Sequence, residues 1–234
     1  MHTPRRRTRA ALAVAALAVP LLLASCSGAD SAPEESPTER LAAAKAQLDD
    51  TSGVRIRLEA DQLPSGVNGL LAADGVGTHA PAFQGTIKVA ASGITADAAV
   101  VAVDDVVYAK LPFTTDFVDI DPADYGAPDP ADLMSSEGGL SSLLTAAEAV
   151  EEGEQVRDGD VVLSTFTATV PGEAVAAVIP SASADADFDA RFTVDDSDRL
   201  DEVVLTGPFY PDADEVTYTV EFDQYGIDKD IKAP

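Results

Sequence analysis

The sequence predicts an α+β fold of one domain, built on a large antiparallel β-sheet. Many short segments alternate apolar and polar residues, which is the pattern of half-buried strands. Most of these segments follow one another through short turns, which favours antiparallel pairing. Three other segments carry apolar residues at helical spacing. A chain of 234 residues with 46% hydrophobic residues is long enough to bury one core.

The first predicted helix begins after Ser36. Ser36 is a suitable N-cap, Pro37 fits the first helical position, and Glu39 completes a capping box. Gly53 is expected to end this helix. Its apolar stripe consists of Leu41, Ala44 and Leu48.

Nine or ten strands are expected to fill most of the remaining chain. Two turns, at 104–105 and 158–160, are expected to connect hairpins. The connection 112–130 is rich in Pro and Asp, and its prolines argue against regular structure there. The predicted strands are residues 54–59, 70–78, 83–89, 98–103, 106–111, 155–157, 161–170, 188–194, 200–206 and 216–222.

Two more helices are predicted in the second half of the chain. The third helix should run from Pro171 to Ile179 and end at Pro180, with Val175, Val178 and Ile179 on its buried side. The second helix is indicated by an apolar face at positions i, i+3, i+4 and i+7, formed by Leu140, Leu143, Leu144 and Ala147.

The N-terminal segment is typical of an exported lipoprotein. Arginines at 5–9 precede an apolar stretch at 10–24, which is shorter than the roughly 20 residues of a membrane span. The stretch ends in Leu-Ala-Ser-Cys, which resembles the bacterial lipobox and predicts cleavage before Cys26 and lipid on its thiol. An ordinary secretory signal and an uncleaved anchor helix are the alternatives.

Three regions follow from this interpretation. Residues 1–25 form a signal peptide, 26–37 a lipidated cysteine with a polar tether, and 38–234 the folded domain. The expected location is the extracytoplasmic face of the cell membrane, with the lipid as anchor.

The charge of the chain excludes one class of partner. The sequence holds 41 acidic and 15 basic residues, and signal cleavage would remove four of the basic ones. Because such a surface repels phosphates, no nucleic-acid partner is predicted.

Catalytic and metal-binding groups are scarce. The sequence has two histidines, and His79 stands alone in the predicted domain. Cys26, the single cysteine, is expected to be lipidated, so no nucleophilic cysteine and no zinc cluster are available. No catalytic residue, metal or cofactor is predicted. Calcium on the acidic clusters and a carboxylate-dependent hydrolase remain alternatives.

The apolar strand faces, rich in Val and Ala, have two interpretations. They could form an ordinary filled core, or they could line a space suited to lipid chains. Periodicity alone does not separate the two.

Several short stretches, in their order along the chain, resemble the actinobacterial LppX/LprG lipoprotein family, and in particular its LprG branch. The likeness covers about residues 38–234 and depends on the ordered set rather than on one motif. The stretches are Ser52–Val54, Gln84–Val89, Val106–Leu111, Asp129–Leu133, Gly138–Leu144 and Gln224–Gly226.

The resemblance implies a strongly curved antiparallel sheet, a half-barrel like that of LolA and LppX, with helices on its concave face around a hydrophobic cavity. Such a cavity would hold the acyl chains of triacylated glycolipids, phosphatidylinositol mannosides, lipoglycans or triacylglycerol. The protein would transfer these lipids from the cytoplasmic membrane toward the outer envelope, together with a major-facilitator efflux transporter. The high acidity of this chain favours a less charged lipid.

Ten residues are predicted to line the cavity. The resemblance places a cavity-facing aliphatic residue at Ile87, and strand alternation and helix faces select the others. They are Ile56, Leu58, Leu70, Ile87, Val89, Val100, Leu140, Leu144, Val178 and Phe192. The competing hypothesis is a lipoprotein that binds a protein partner, with a filled core and no lipid.

Overall fold

The computed structural model describes residues 35–125 and 127–234. The predicted lipidation site at Cys26 and the signal peptide lie outside these residues. The helices are α1 (Pro37–Asp50), α2 (Ser142–Ala146) and α3 (Gly172–Val178). The strands are β1 (Gly53–Ala60), β2 (Gly69–Thr78), β3 (Ala82–Ala91), β4 (Ile94–Val103), β5 (Val106–Lys110), β6 (Val118–Ile120), β7 (Glu148–Asp158), β8 (Val161–Pro171), β9 (Asp187–Val194), β10 (Leu200–Gly207) and β11 (Val216–Asp223).

All eleven strands of the described residues belong to one antiparallel sheet. Their order is β6-β5-β4-β3-β2-β1-β11-β10-β9-β8-β7, so the first and last of these strands pair in the middle. The sheet is open, because β6 and β7 lie at its two edges. The predicted open antiparallel sheet is confirmed. None of the described helices is long and apolar enough to cross a bilayer.

The capping box predicted at α1 is present. The Glu39 amide donates to Ser36 Oγ at 3.3 Å, and the Ser36 amide donates to Glu39 Oε2 at 2.8 Å. The hydrogen bond from the Ser36 backbone is the main reason why the pKa of Glu39 lies below its ordinary value. The helix ends at Asp50, however, and Gly53 is the first residue of β1, so the predicted stop at Gly53 was wrong.

The predicted absence of regular structure from 112–130 was also wrong. Residues 118–120 contain no proline and pair with β5 as a short edge strand. Residues 122–125 form a 3-10 turn with Pro122 first, where a missing backbone N–H costs nothing. A second such turn spans 132–134. The helix α2 is only five residues long, with Leu143 and Leu144 buried.

Strand register defines one continuous apolar face, which we call the inner face. Residues directly opposite each other in paired strands lie on the same side of a sheet. One such row crosses six strands and consists of Phe192, Val203, Val220, Leu58, Ala73 and Ile87. Each of the helices α1, α2 and α3 contributes buried residues to the core on this face.

The opposite, outer face of the central strands carries ion pairs. Arg55 donates to both oxygens of Asp74, at 2.8 and 3.1 Å, and the bond from this guanidinium holds the pKa of Asp74 below its ordinary value. Arg57 contacts Glu221 and Asp223. These pairs are solvent-exposed, so each contributes little to stability.

Candidate functional site

An apolar cavity of about 100 Å³ lies between the inner face and the segments that cover it. Its floor is formed by alternate residues of four strands, and the side chains of these residues all lie on the inner face. They are Leu58 of β1, Leu70 of β2, Val203 and Leu205 of β10, and Tyr218, Val220 and Phe222 of β11.

Residues 127–143, which we call the roof, cover the cavity. Ala127, Pro128, Leu133, Leu140 and Leu143 are the roof residues that line it. Backbone hydrogen bonds fold the roof onto itself, as between the Leu140 amide and the Leu133 carbonyl at 3.0 Å.

A lysine of α1 ties the roof to the helix. Lys45 Nζ donates to the Ser136 carbonyl at 2.9 Å and to Ser141 Oγ at 3.3 Å, and it also pairs with Asp49. A single flexible side chain therefore provides polar contacts between α1 and two points of the roof.

Two tyrosines at one end of the cavity form a hydrogen-bonded chain. Tyr218 Oη donates to the Leu70 carbonyl at 3.0 Å, and the hydroxyls of Tyr210 and Tyr218 lie 2.7 Å apart. Because the Tyr218 proton is directed to Leu70, Tyr210 must be the donor in the second bond. Burial, and then the bond with Tyr210, raises the pKa of Tyr218 far above its ordinary value.

The close packing at this end explains a glycine in the cavity wall. A Cβ at position 69 would lie 2.2 Å from Tyr210 Oη, so Gly69 leaves space for that hydroxyl. Phe209 packs edge-on against Tyr218 with ring centroids 4.9 Å apart, and against Phe188 at 5.0 Å. Edge-to-face packing of this kind stabilises the wall at this end of the cavity.

A second groove, of about 360 Å³, adjoins the cavity and shares residues of the roof with it. Burial is the main reason that the pKa of Asp129 in this groove lies above its ordinary value. The backbone amide of Ala131 donates a hydrogen bond to Asp129 Oδ1 at 2.8 Å. The acidic residues of the groove are Asp105, Asp121, Asp129 and Asp132.

A larger concavity, of about 770 Å³, lies elsewhere, between the β4–β5 turn and the C-terminal residues 228–233. Aspartates and lysines form much of its lining, so it does not suit an apolar ligand. The smaller apolar cavity is the better candidate site.

The predicted lining residues divide into three groups. Leu58, Leu70 and Leu140 lie on the cavity wall. Ile56, Leu144, Val178 and Phe192 belong to the filled core beside the cavity. The third group, Ile87, Val89 and Val100, lies on the inner face further along the sheet, where Val100 is buried and the other two are half-buried.

Several lining residues were not anticipated. The roof residues at 127–133 lie in the connection 112–130 or directly after it, where no periodicity selects a lining residue. Tyr210 follows β10 outside regular structure. Val203, Leu205, Tyr218, Val220 and Phe222, by contrast, alternate in two predicted strands, and their alternation was a usable signal.

The polar residues considered for catalysis or metal binding are not arranged as an active site or a metal site among the described residues. His79 Nε2 lies 2.7 Å from the Leu48 carbonyl, which can only accept, so this nitrogen carries the proton and caps the end of α1. Within residues 35–125 and 127–234, no three His, Cys, Asp or Glu side chains converge as metal ligands would.

The fold and the cavity together define a class of α+β proteins, in which an open antiparallel sheet and short helices enclose apolar volume. A family model described as LppX_LprAFG lipoprotein matches residues 36–233, and the chain belongs to this family. Membership of a lipoprotein family implies a membrane-associated location in the cell envelope. A search of curated proteins finds no match.

Two solved structures are similar to this chain. LprF from Mycobacterium bovis is 14% identical with a TM-score of 0.67, and the match covers 85% of this chain and 96% of that one. Lipoprotein LppX from Mycobacterium tuberculosis is 13% identical with a TM-score of 0.61, and the match covers 84% and 98%. At these identities the likeness shows the fold.

Proposed function

We propose that this chain is a lipid carrier of the cell envelope. It binds acylated lipids in the apolar cavity and transfers them from the cytoplasmic membrane toward the outer envelope, with an efflux transporter as partner. Lipid on Cys26 anchors it at the extracytoplasmic face. The observation that carries this proposal is the apolar cavity between the inner face and the roof, in a member of the LppX_LprAFG family.

The chemistry of the wall supports an acyl chain as ligand. The hydroxyls of Tyr210 and Tyr218 bond to each other and to a backbone carbonyl, so at that end hydrocarbon faces the cavity. Each methylene transferred from water into such surroundings contributes about 0.8 kcal/mol. A carrier of this kind needs no bond-making chemistry, because burial alone lowers the cost of moving the lipid.

The size of the cavity sets a condition on this function. A volume of about 100 Å³ is smaller than the roughly 300–1,000 Å³ of typical ligand sites. The carrier therefore has to expand, and the roof is the element suited to move. Its backbone bonds are largely internal, and Lys45 links it to α1. When the roof lifts, an acyl chain replaces Leu140 and Leu143 against the floor.

The matched pair Val203 and Val204 provides the test. These neighbours in β10 point to opposite faces, and only Val203 lines the cavity. Val203→Trp fills the cavity, while Val204→Trp makes the same change on the outer face. Native mass spectrometry of full-length protein from an actinobacterial host should detect lipid with the wild type and Val204→Trp, but not with Val203→Trp. Circular dichroism confirms that both variants are folded.

The small cavity also favours a second candidate function, a lipoprotein that binds a protein partner with its core filled. Wild-type protein that is free of lipid in repeated preparations would support this candidate and contradict the carrier. Lipid retained by Val203→Trp would place the ligand outside the cavity.

A further inference from the structure

We propose that one corner of the sheet, at the ends of β2 to β5, inserts into the bilayer surface when the protein loads or releases lipid. This inference rests on the proposed carrier function. We define the corner as residues 62–73, 86–96 and 108–115, which comprise the β1–β2 loop after Asp61, the β3–β4 turn, the start of the β5–β6 loop and the strand ends beside them.

The corner exposes large apolar side chains at neighbouring tips. Phe113 is fully exposed, Ile94 is 69% exposed and Leu111 is 46% exposed. Phe113 has a φ of +70°, a conformation that costs energy for a bulky residue. An aromatic ring held in solvent on strained backbone has no packing role in the protein, and exposed apolar tips mark interaction surfaces.

The apolar surface of the corner is continuous with the cavity. Leu70 lines the cavity, pairs with Val89 across the β2–β3 ladder, and Val89 pairs with Ala96 of β4. The next pair toward the tip is Ala91 and Ile94. All these residues lie on the inner face, and Val89, Ala91 and Ala96 are half-buried. An apolar strip therefore leads from the cavity wall to the tip.

The charge distribution favours a membrane as the occupant. The three segments of the corner contain no Asp or Glu, and the acidic residues at their borders are Asp61, Asp74, Asp97 and Asp116. Asp74 is paired with Arg55, and Asp97 lies opposite Lys88 in the β3–β4 ladder. The charged residues of the corner are Lys88 and Lys110. The β10–β11 loop, at the same end of the sheet but outside the corner, is acidic at residues 212–215. The corner is thus the part of that end that an anionic bilayer does not repel.

The length of the predicted tether allows this contact. Arg40 near the start of α1 binds Asp198, at the opposite end of the strands from Ile94. A ten-residue strand spans about 33 Å. The ten residues from the predicted anchor at Cys26 to Ser36 reach up to about 35 Å, so the tip can turn back to the membrane that holds the anchor.

A single tryptophan tests the contact, because the chain has none. Phe113→Trp and Val156→Trp are made in the full-length protein. Val156 is a matched control, since it is 54% exposed on β7 outside the corner. With vesicles of phosphatidylcholine and phosphatidylglycerol, Trp at 113 should shift its emission to the blue and be quenched by brominated acyl chains. Trp at 156 should show neither change.

A second measurement links the contact to transfer. The double variant Ile94→Asp, Phe113→Asp should slow lipid transfer between vesicles by about tenfold or more, with its bound lipid unchanged by native mass spectrometry. The pair Val156→Asp, Val161→Asp on the exposed β7–β8 hairpin should leave the rate unchanged.

The outcomes separate the two proposals. If both tryptophans are quenched alike, if neither is quenched, or if the two double variants transfer lipid at the same rate, the corner does not insert. Wild-type protein that never carries lipid contradicts the carrier function, whether or not Trp at 113 is quenched.

Discussion

Replacement of Tyr218 by Phe tests the hydrogen-bonded chain that closes one end of the cavity. The substitution removes the donor to the Leu70 carbonyl and the acceptor for the Tyr210 hydroxyl, while the ring keeps its contact with Phe209. Tyr218 is buried, so two groups lose a partner in a site of low polarity. We expect a loss of about 1–3 kcal/mol in the free energy of unfolding.

Tyr210→Phe should cost less, about 0.5–1 kcal/mol, because Tyr218 still donates to Leu70 and no buried proton is left unpaired. In the double variant the unpaired Tyr210 hydroxyl is gone as well. Its cost should therefore lie close to that of Tyr218→Phe alone, which corresponds to a coupling energy of roughly 0.5–1 kcal/mol.

Urea denaturation followed by circular dichroism measures these differences. Losses that are strictly additive, or a larger loss for Tyr210→Phe, would refute the assigned donor directions. A pH series adds an independent check. Because the folded state raises the pKa of Tyr218, its contribution is complete below about pH 10 and is lost as pH rises beyond that value. Tyr218→Phe should remove part of this alkaline decline.

Three further predictions concern the roof, its groove and α1. Lys45→Met should release the roof from Ser136 and speed lipid exchange in the vesicle assay, whereas an unchanged rate would show that this contact does not restrain it. Asp129→Asn should raise the melting temperature at pH 7 by on the order of 1 °C, because the raised pKa of Asp129 means that the folded state favours the neutral carboxyl. The gain in melting temperature should vanish below about pH 4, where the carboxyl is neutral in the unfolded chain as well. A gain that stays constant with pH would contradict this cause. Ser36→Ala should cost about 1 kcal/mol in urea denaturation and Ser36→Thr much less, and equal losses would argue against the cap.

Local sequence patterns were sufficient to predict most of the sheet. The alternation from 54 to 59 predicted β1 and its inner residues, and the turn residues Asp104 and Asp105 adopt positive φ values of 55° and 60° as a tight hairpin requires. The seven strand residues chosen for the cavity all lie on the inner face. The face of the sheet on which a strand residue lies follows from the alternation of its neighbours in the chain, so a single sequence contains this information.

The position of the cavity on that face could not be predicted in the same way. Ile56 and Leu58 share a strand and a face, yet only Leu58 lines the cavity, because the covering segments differ above them. The roof has no periodicity, and Leu140 lies on the cavity wall whereas Leu144 of α2 lies in the filled core. These outcomes depend on tertiary contacts between segments that are distant in the chain.

The pairing of β1 with β11 has a consequence for how the molecule folds. Strands β1 to β6 and β7 to β11 can each form as successive hairpins, but Arg55 and Asp223 meet only after synthesis has passed β11. Bringing such distant residues together has a high entropic cost, which slows folding. The nascent protein should therefore remain open until β11 has been made. A truncation before Val216 removes β11, so the two half-sheets should lose the pairing that joins them. Each would then expose an unpaired edge strand, which is prone to aggregation.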